Sequence, residues 1–249
     1  MTGRGTLSAR MQAVADMVTK GSRVCDVGCD HGYVPIYLVR QGISPAVLAM
    51  DINKGPLLKA REHVMRAGLK EYIRLRLSDG LDGYVPGEAE TLICAGMGGR
   101  LMQRILTRHP HKTADFQELV LQPQSEVYMF RKFLRNTGYS IVREDMILED
   151  GKFYPVIKAV PVSPFGQLEK ETQGQDFMDV EDYFGPKLLE TRHPVLILYL
   201  QKEWENCIKI KESLAKAGNT QRAQKRLKEL GEKMDYIEKA AQICGCKLF

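Results

Sequence analysis

The chain has 249 residues, of which 44% are hydrophobic and 27% charged, and its formal net charge at pH 7 is +5. This length allows one large domain, or one standard domain with a small appendage. The first 17 residues contain Arg4 and Arg10 but no apolar segment, so we expect no secretory signal. The longest apolar run near the C-terminus, residues 195–200, is too short to span a bilayer, and we expect a cytoplasmic protein.

The six cysteines agree with a reducing compartment. They form no C-x-x-C pair and no set with zinc-ligand spacing, so we expect no metal site. Cys25 and Cys94 fall in predicted buried strands, where a thiol behaves as a small hydrophobic group.

Hydrophobic patterning predicts alternating strands and helices over the first 136 residues. A short amphipathic helix is predicted at 7–19. The predicted strands are 23–28, 46–52, 73–78, 91–95 and 118–122, and the predicted helices are 34–41, 54–67, 98–108 and 125–136. This alternation predicts a parallel sheet with helices on both faces.

The pattern changes after residue 139. Two strand-like runs, 140–148 and 152–160, flank Asp150-Gly151, a dipeptide that favours a tight hairpin turn. An antiparallel hairpin at the end of the sheet brings the strand count to seven, mostly parallel. Pro155 lacks the N–H that a sheet ladder needs, so we expect a bulge or a strand end there.

The C-terminal part is predicted to be helical. We expect a first domain at 1–162, a polar connector at 163–186 and a helical domain at 187–249. In two segments, mostly apolar positions alternate in steps of four and three, which predicts an antiparallel coiled-coil hairpin joined at Gly218-Asn219. These positions are Leu196, Leu200, Glu203, Cys207, Ile210, Leu214 and Ala217, and then Ala223, Leu227, Leu230, Met234, Ile237, Ala241 and Cys244. Residues 200–249 contain eleven Lys/Arg and seven Asp/Glu, a net charge of +4.

The most informative motif follows the first predicted strand. Residues 26–32 read Asp-Val-Gly-Cys-Asp-His-Gly and lie between a strand and a helix, which is where α/β proteins seat nucleotide-like cofactors. The spacing is not the G-x-G-x-x-G of dinucleotide-binding proteins, so a nicotinamide oxidoreductase is a distant alternative. An acidic residue on this strand suits a cationic ligand, the ammonium and sulfonium of S-adenosylmethionine (SAM).

Three further loops follow predicted strands, and each alone is an ordinary turn or helix cap. Asp51 is placed to accept ribose hydroxyls, Asp79-Gly80 to meet the adenine, and residues 95–99 to lie beside the methyl donor. Together and in order, they predict a class I Rossmann-like SAM-dependent methyltransferase domain. The predicted cofactor-binding residues are Asp26, Gly28, Cys29, Gly32, Asp51, Ile52, Asn53, Asp79, Gly80, Ala95 and Gly96.

The fourth strand also bears on the target atom. Enzymes that methylate an exocyclic amine typically carry Asp/Asn-Pro-Pro-Tyr/Phe here, whereas residues 94–99 read Cys-Ala-Gly-Met-Gly-Gly. This glycine-rich loop argues against amine methylation and favours a ring nitrogen, which can attack directly when it is held in line.

The chain resembles the bacterial tRNA (adenine(22)-N1)-methyltransferase family over essentially its whole length, including the C-terminal hairpin. Five segments carry this resemblance. They are 26–38, 51–53, 78–80, 95–99 and 121–124. The resemblance implies methyl transfer from SAM to N1 of an adenine in the tRNA D-loop. It makes Asp30, His31, Tyr33, Gly96 and Met97 the candidate catalytic residues.

Two of these residues have specific predicted roles, in which Asp30 accepts from the adenine N6 amine and Tyr33 offers a stacking face. His31 either contacts the target or fixes its loop to the fourth or fifth strand. Gln122 either reaches the base or caps the next helix, whereas Gln124 is favoured as a cap.

The excess positive charge of the predicted hairpin allows two interpretations, a solvated surface or a tRNA platform, and we favour the platform. The candidate RNA-binding residues are Arg10, Lys209, Lys216, Arg222, Arg226 and Lys233. The alternatives are a methyltransferase for another RNA base, a metabolite or a protein, and a non-catalytic RNA-binding protein. The hairpin seam closes within one chain, so we expect a monomer.

Overall fold

A seven-stranded sheet forms the centre of the first part of the chain. The computed structural model describes residues 7–162, 175–216 and 220–248. Within these residues the strands are β1 Val24–Val27, β2 Val47–Asp51, β3 Ile73–Leu77, β4 Thr91–Met97, β5 Glu118–Pro123, β6 Tyr139–Glu149 and β7 Lys152–Pro161. The spatial order is β3-β2-β1-β4-β5-β7-β6. β1 to β5 pair in parallel and β7 is antiparallel to both neighbours, which confirms the predicted mostly parallel sheet.

Helices cover both faces of the sheet. They are α1 Ala9–Asp16, α2 Tyr33–Arg40, α3 Lys54–Arg66, α4 Gly99–Arg108, α5 Pro110–Thr113 and α6 Val127–Asn136. Successive residues of a strand point to opposite faces, so Cys25 packs in one cluster with Met102 and Phe130, while Val24 packs in the other with Leu38. All of β1, β2 and β5 is buried, as expected for strands covered on both sides.

The hairpin of β6 and β7 closes the sheet, but the expectation at Pro155 is wrong. Pro155 pairs with Met146 inside a continuous β7, and the register shift lies between Ile141 and Arg143. β5 pairs with residues 157–159 of β7, so the ladder on that side begins after Pro155 and does not need its missing N–H.

The chain divides into two compact units, Met1–Gly166 and Gln167–Phe249. The second contains α7 Gln175–Phe184, α8 Pro186–Glu190, α9 Pro194–Lys216 and α10 Gln221–Cys244. α7 occupies part of the stretch that was predicted as a polar connector, because Val180 and Phe184 are buried. Residues 163–174 of that stretch, and the Gly218-Asn219 link, lie outside the described residues.

α9 and α10 contact each other. Among the predicted seam positions that the structure describes, most are buried or half-buried, although Ile210 is exposed. Glu203 of α9 forms an ion pair with Lys233 of α10, and the Gln201 side chain donates to the carbonyl oxygen of Lys247, 3.1 Å away. The coiled-coil geometry stays a prediction. No helix in the described part of the chain is both long and apolar enough to cross a membrane.

Candidate cofactor and target-base site

The loop after β1 comes close to two other elements. Gly28 and Gly32 have positive φ angles of 79° and 75°. A Cβ on Gly28 would lie 2.8 Å from the Cε of Met97, and a Cβ on Gly32 would lie 3.2 Å from the Cβ of Ala60. Glycine at these positions therefore lets the β4 loop and α3 approach the end of β1.

Asp51 ties the ends of β1 and β2 together. One of its carboxylate oxygens accepts from the Asp30 backbone N–H (3.1 Å), and the other accepts from that of Asn53 (2.8 Å). The first bond holds Asp30 at a φ of +50°, a strained conformation for a residue with a side chain. The Asp30 side chain is 69% exposed and its Oδ1 lies 3.6 Å from Nε2 of His31, so the carboxylate can be reached by a ligand from the solvent side.

Asp26 is a carboxylate inside the sheet, with only 4% of the residue exposed. Burial, with a contribution from the charge of Asp51, raises the pKa of Asp26 to about 7. A cation bound beside it would favour the ionised form. The residue is therefore suited to a ligand that carries a positive charge.

A cleft of about 460 Å³ opens between the ends of β2 and β3, and its size suits a small-molecule ligand. It is lined by Ile52, Leu77, Ser78, Asp79, Asp82 and Gly83. Ile52 and Leu77 present exposed apolar surface that an adenine ring could cover. Arg108 donates to Asp79 (2.7 Å) and forms an ion pair with Asp82 (2.8 Å), a bridge that the sequence analysis missed.

The loop at the end of β4 is held by β5. The Gly96 N–H donates to the side-chain oxygen of Gln122 (3.0 Å), and the backbone N–H of Gln124 donates to the Met97 carbonyl (3.0 Å). Gln122 is fully buried, and its Nε2 atom has no partner among the described residues. The prediction that Gln124 caps α6 is wrong, because the N-cap residue of α6 is Glu126. Gln122 instead fixes the β4 loop.

Three rings cluster on the side of the loop that faces α2 and α3. The Tyr33 ring stacks on His63, with centroids 5.0 Å apart and planes at 28°, and His31 meets Tyr33 edge-on at 6.0 Å. His63 Nδ1 lies 2.9 Å from the His31 carbonyl oxygen. The ring contacts recorded for His31 are therefore with α2 and α3 and not with β4 or β5. No local sequence pattern marks His63, because it occupies an ordinary position in the middle of a helix.

The predicted RNA-binding cations have different surroundings. Arg10 pairs with Glu149 (3.3 Å) and its guanidinium lies 5.0 Å from the Tyr154 ring centroid. Arg226 pairs with Glu229 (3.1 Å), and Lys233 with Glu203. Lys209 and Arg222 are exposed, and the side chain of Lys216 is not among the described ones. Lys209 and Arg222 are thus best placed to meet a phosphate.

The described residues contain no group of three or more His, Cys, Asp or Glu side chains arranged to hold a metal ion.

Comparison with known proteins agrees with this geometry. Residues 7–157 match the methyltransferase domain family. The tRNA (adenine(22)-N(1))-methyltransferase of Bacillus subtilis (strain 168) is 31% identical, over 93% of this chain and 95% of that protein.

Solved structures agree with the full-length match. The crystal structure of the B. subtilis m1A22 tRNA methyltransferase TrmK is similar with a TM-score of 0.82 and 30% identity, over 95% of this chain and 99% of that one. Streptococcus pneumoniae Sp1610 in complex with S-adenosyl-L-methionine has a TM-score of 0.78 and 31% identity, over 94% and 99%. The resemblance seen in the sequence is confirmed, and the chain belongs to the tRNA (adenine(22)-N1)-methyltransferase family.

Proposed function

We propose that this protein transfers the methyl group of SAM to N1 of the adenine at position 22 of tRNA. One observation carries this proposal. The Asp51 carboxylate, at the predicted ribose position, accepts a hydrogen bond from the backbone N–H of Asp30. The same bond therefore positions both the proposed cofactor-binding residue Asp51 and the proposed target-binding residue Asp30. Family membership along nearly the whole chain supplies the target base.

The residues of the β1, β2 and β3 ends fit SAM. The buried Asp26 carboxylate suits the ammonium group, and Ile52 lines the cleft for the adenine. Asp51 already accepts two N–H groups, but a carboxylate has about four acceptor sites, so ribose hydroxyls can still bond to it. When bound, SAM supplies an electrophilic methyl group on a sulfonium.

The residues of the chain then act mainly by positioning. The N1 lone pair of adenine is available at neutral pH, so the reaction needs no strong base to start. Asp30 accepts from the N6 amine and stabilises the positive charge that develops on the base. Tyr33 stacks on the base. The Gly96–Met97 backbone borders the reacting atoms, and Gln122 keeps that backbone in place.

We further infer that the helical unit binds the body of the tRNA. Its long helices α9 and α10 carry Lys209 and Arg222 on exposed positions, as phosphate contacts require. Arg10, Lys216, Arg226 and Lys233 complete the proposed set. Arg10, Arg226 and Lys233 already pair with glutamates of the chain, so we assign these three smaller contributions.

The same proposal covers the organisation of the protein. In this proposal, the predicted domain at 1–162 binds the cofactor, and the predicted domain at 187–249 binds the RNA. The apolar seam of α9 and α10, which includes Leu200, Leu230 and Ile237, is buried within the chain and supports a monomer. The proposed tRNA substrate of the protein supports a cytoplasmic location. Light scattering of the purified protein tests the monomer.

The test of the function is transfer of labelled methyl from SAM to unmodified tRNA, followed by nucleoside mass spectrometry. We expect 1-methyladenosine, and no label in a tRNA that carries guanosine at position 22. Label in another nucleoside would overturn the target atom. SAM binding without any transfer to tRNA would redirect the search to a metabolite or protein acceptor.

A further inference from the structure

His63 lies behind the side chains that face the proposed target base. It belongs to α3, whereas Tyr33 begins α2 and His31 lies in the β1 loop, so three elements meet at one ring. The Tyr33 and His63 rings are nearly parallel, with centroids 5.0 Å apart, which is a stacking geometry. One face of Tyr33 is therefore covered by His63.

A hydrogen bond fixes the orientation of the His63 ring. Its Nδ1 lies 2.9 Å from the His31 carbonyl oxygen, which can only accept. Nδ1 must therefore carry the hydrogen and donate it, which also fixes the ring plane. His63 thus links the Asp30–His31 loop to the Tyr33 ring.

More than half of the Tyr33 surface remains open to solvent, since the residue is 53% exposed although His63 and His31 both contact its ring. An exposed tyrosine ring without a backing partner would sample several rotamers and would lose that freedom on binding a base. Stacking on His63 holds the ring in one orientation before the base arrives.

We propose that His63 is a positioning residue for the target adenine, which it serves by backing Tyr33 so that base, Tyr33 and His63 form a three-layer stack. This inference rests on the proposed function. His63 does not touch the base or the cofactor. Its effect passes through Tyr33, which distinguishes it from a residue that only stabilises the fold.

The test uses three variants of the full-length protein and a control on the same helix. His63→Ala removes both ring and donor, and we expect the KM for tRNA to rise by roughly ten-fold, the scale of a lost base-stacking contact. His63→Phe keeps the ring and should restore the KM to within about three-fold, whereas His63→Asn keeps a donor and should not. Met65→Ala, at a residue that is 64% exposed, should leave the KM unchanged.

A double-mutant cycle decides whether His63 acts through Tyr33. In a Tyr33→Ala background, we expect His63→Ala to change the KM for tRNA by less than two-fold. An additive loss, or a loss of SAM affinity that matches the loss in KM, would overturn the proposal. If the unaltered protein methylates A22 while His63→Ala leaves the KM for tRNA within two-fold, this inference fails and the proposed function stands.

Discussion

Asp51 is the residue on which the site converges. Its two carboxylate oxygens hold the backbones of Asp30 and Asn53, so one side chain sets the positions of two loops. The strain at Asp30 persists because this bond offsets it. A strained residue with an exposed carboxylate beside a cofactor loop is typical of a functional position.

Asp30 is therefore expected to affect turnover and not cofactor binding. In Asp30→Ala we expect kcat to fall by about 100-fold, the scale of one lost electrostatic contact to a transition state. The SAM dissociation constant, measured by titration calorimetry, should stay within about two-fold. Asparagine tolerates the positive φ angle and keeps an acceptor, so the kcat of Asp30→Asn should lie between those of the unaltered protein and Asp30→Ala. Equal losses in kcat and SAM affinity would instead identify a structural loop residue.

The buried carboxylate of Asp26 predicts that SAM affinity depends on pH. Because the pKa of Asp26 in the free protein is about 7, the carboxylate is mostly protonated at pH 6 and mostly ionised at pH 7.5. The ionised form attracts the ammonium group, so the SAM dissociation constant should rise by roughly ten-fold as pH falls over this range. In Asp26→Asn the dependence should disappear, and its persistence there would contradict this role.

The same shift has a consequence for stability. A carboxyl with a raised pKa binds its proton more tightly in the folded chain than in the unfolded one. The stability of the protein without ligand should thus fall as pH rises from about 4 to about 7, and Asp26→Asn should be free of this loss.

At the scale of elements, hydrogen bonds with the end of β5 hold the loop at the end of β4, which borders the proposed site. Gln122 acts through its side chain, whereas Gln124 acts through its backbone N–H. We expect Gln122→Leu to lower kcat/KM by at least ten-fold, because it leaves the Gly96 N–H without its partner and loosens the loop. Gln124→Ala keeps the backbone bond and should change kcat/KM by less than two-fold. Similar effects of both variants would show that the Gln122 side chain is not what fixes the loop.

The exposure and ion pairing of the basic side chains on α9 and α10 predict which of them contact RNA phosphates. Each phosphate contact that is lost should reduce the slope of log affinity against log salt by about 1. We expect this for Lys209→Ala and Arg222→Ala, which are exposed. Lys233→Ala should reduce the slope less, because Lys233 already pairs with Glu203. Filter binding of tRNA at several salt concentrations measures the slopes, and equal slopes in all variants would contradict a tRNA platform.

For the whole molecule, cofactor binding should appear as stability. SAM at 100 times its dissociation constant stabilises the native state by about 2.7 kcal/mol if it does not bind the unfolded chain. We therefore expect a rise in Tm of several degrees in differential scanning calorimetry. Asp51→Ala should show a smaller rise at the same SAM concentration, because it loses both the ribose contact and the bond to Asp30. An equal rise would remove Asp51 from the cofactor site.

Much of this fold follows from local sequence. Strand and helix periods predicted the seven strands to within one or two residues, and they also predicted the antiparallel hairpin. Because parallel strands share their carboxyl edge, the order of the motifs also predicted that four loops meet there. Pro155 was misjudged because its cost depends on where the neighbouring strand begins to pair.

The sequence by itself determined the fold class and the cofactor class, because both depend on spacing along the chain, and its resemblance to known proteins indicated the family. Tertiary structure alone decided which side chains meet. Asp30 and Asp51 are 21 positions apart, and His31 and His63 are 32 apart, yet both pairs are in hydrogen-bond contact. Periodicity predicts which face of a helix is buried but not which partner it finds. The backing of Tyr33 by His63 and the bridge from Arg108 to Asp79 and Asp82 therefore came only from the packing of α2, α3 and α4 at the edge of the sheet.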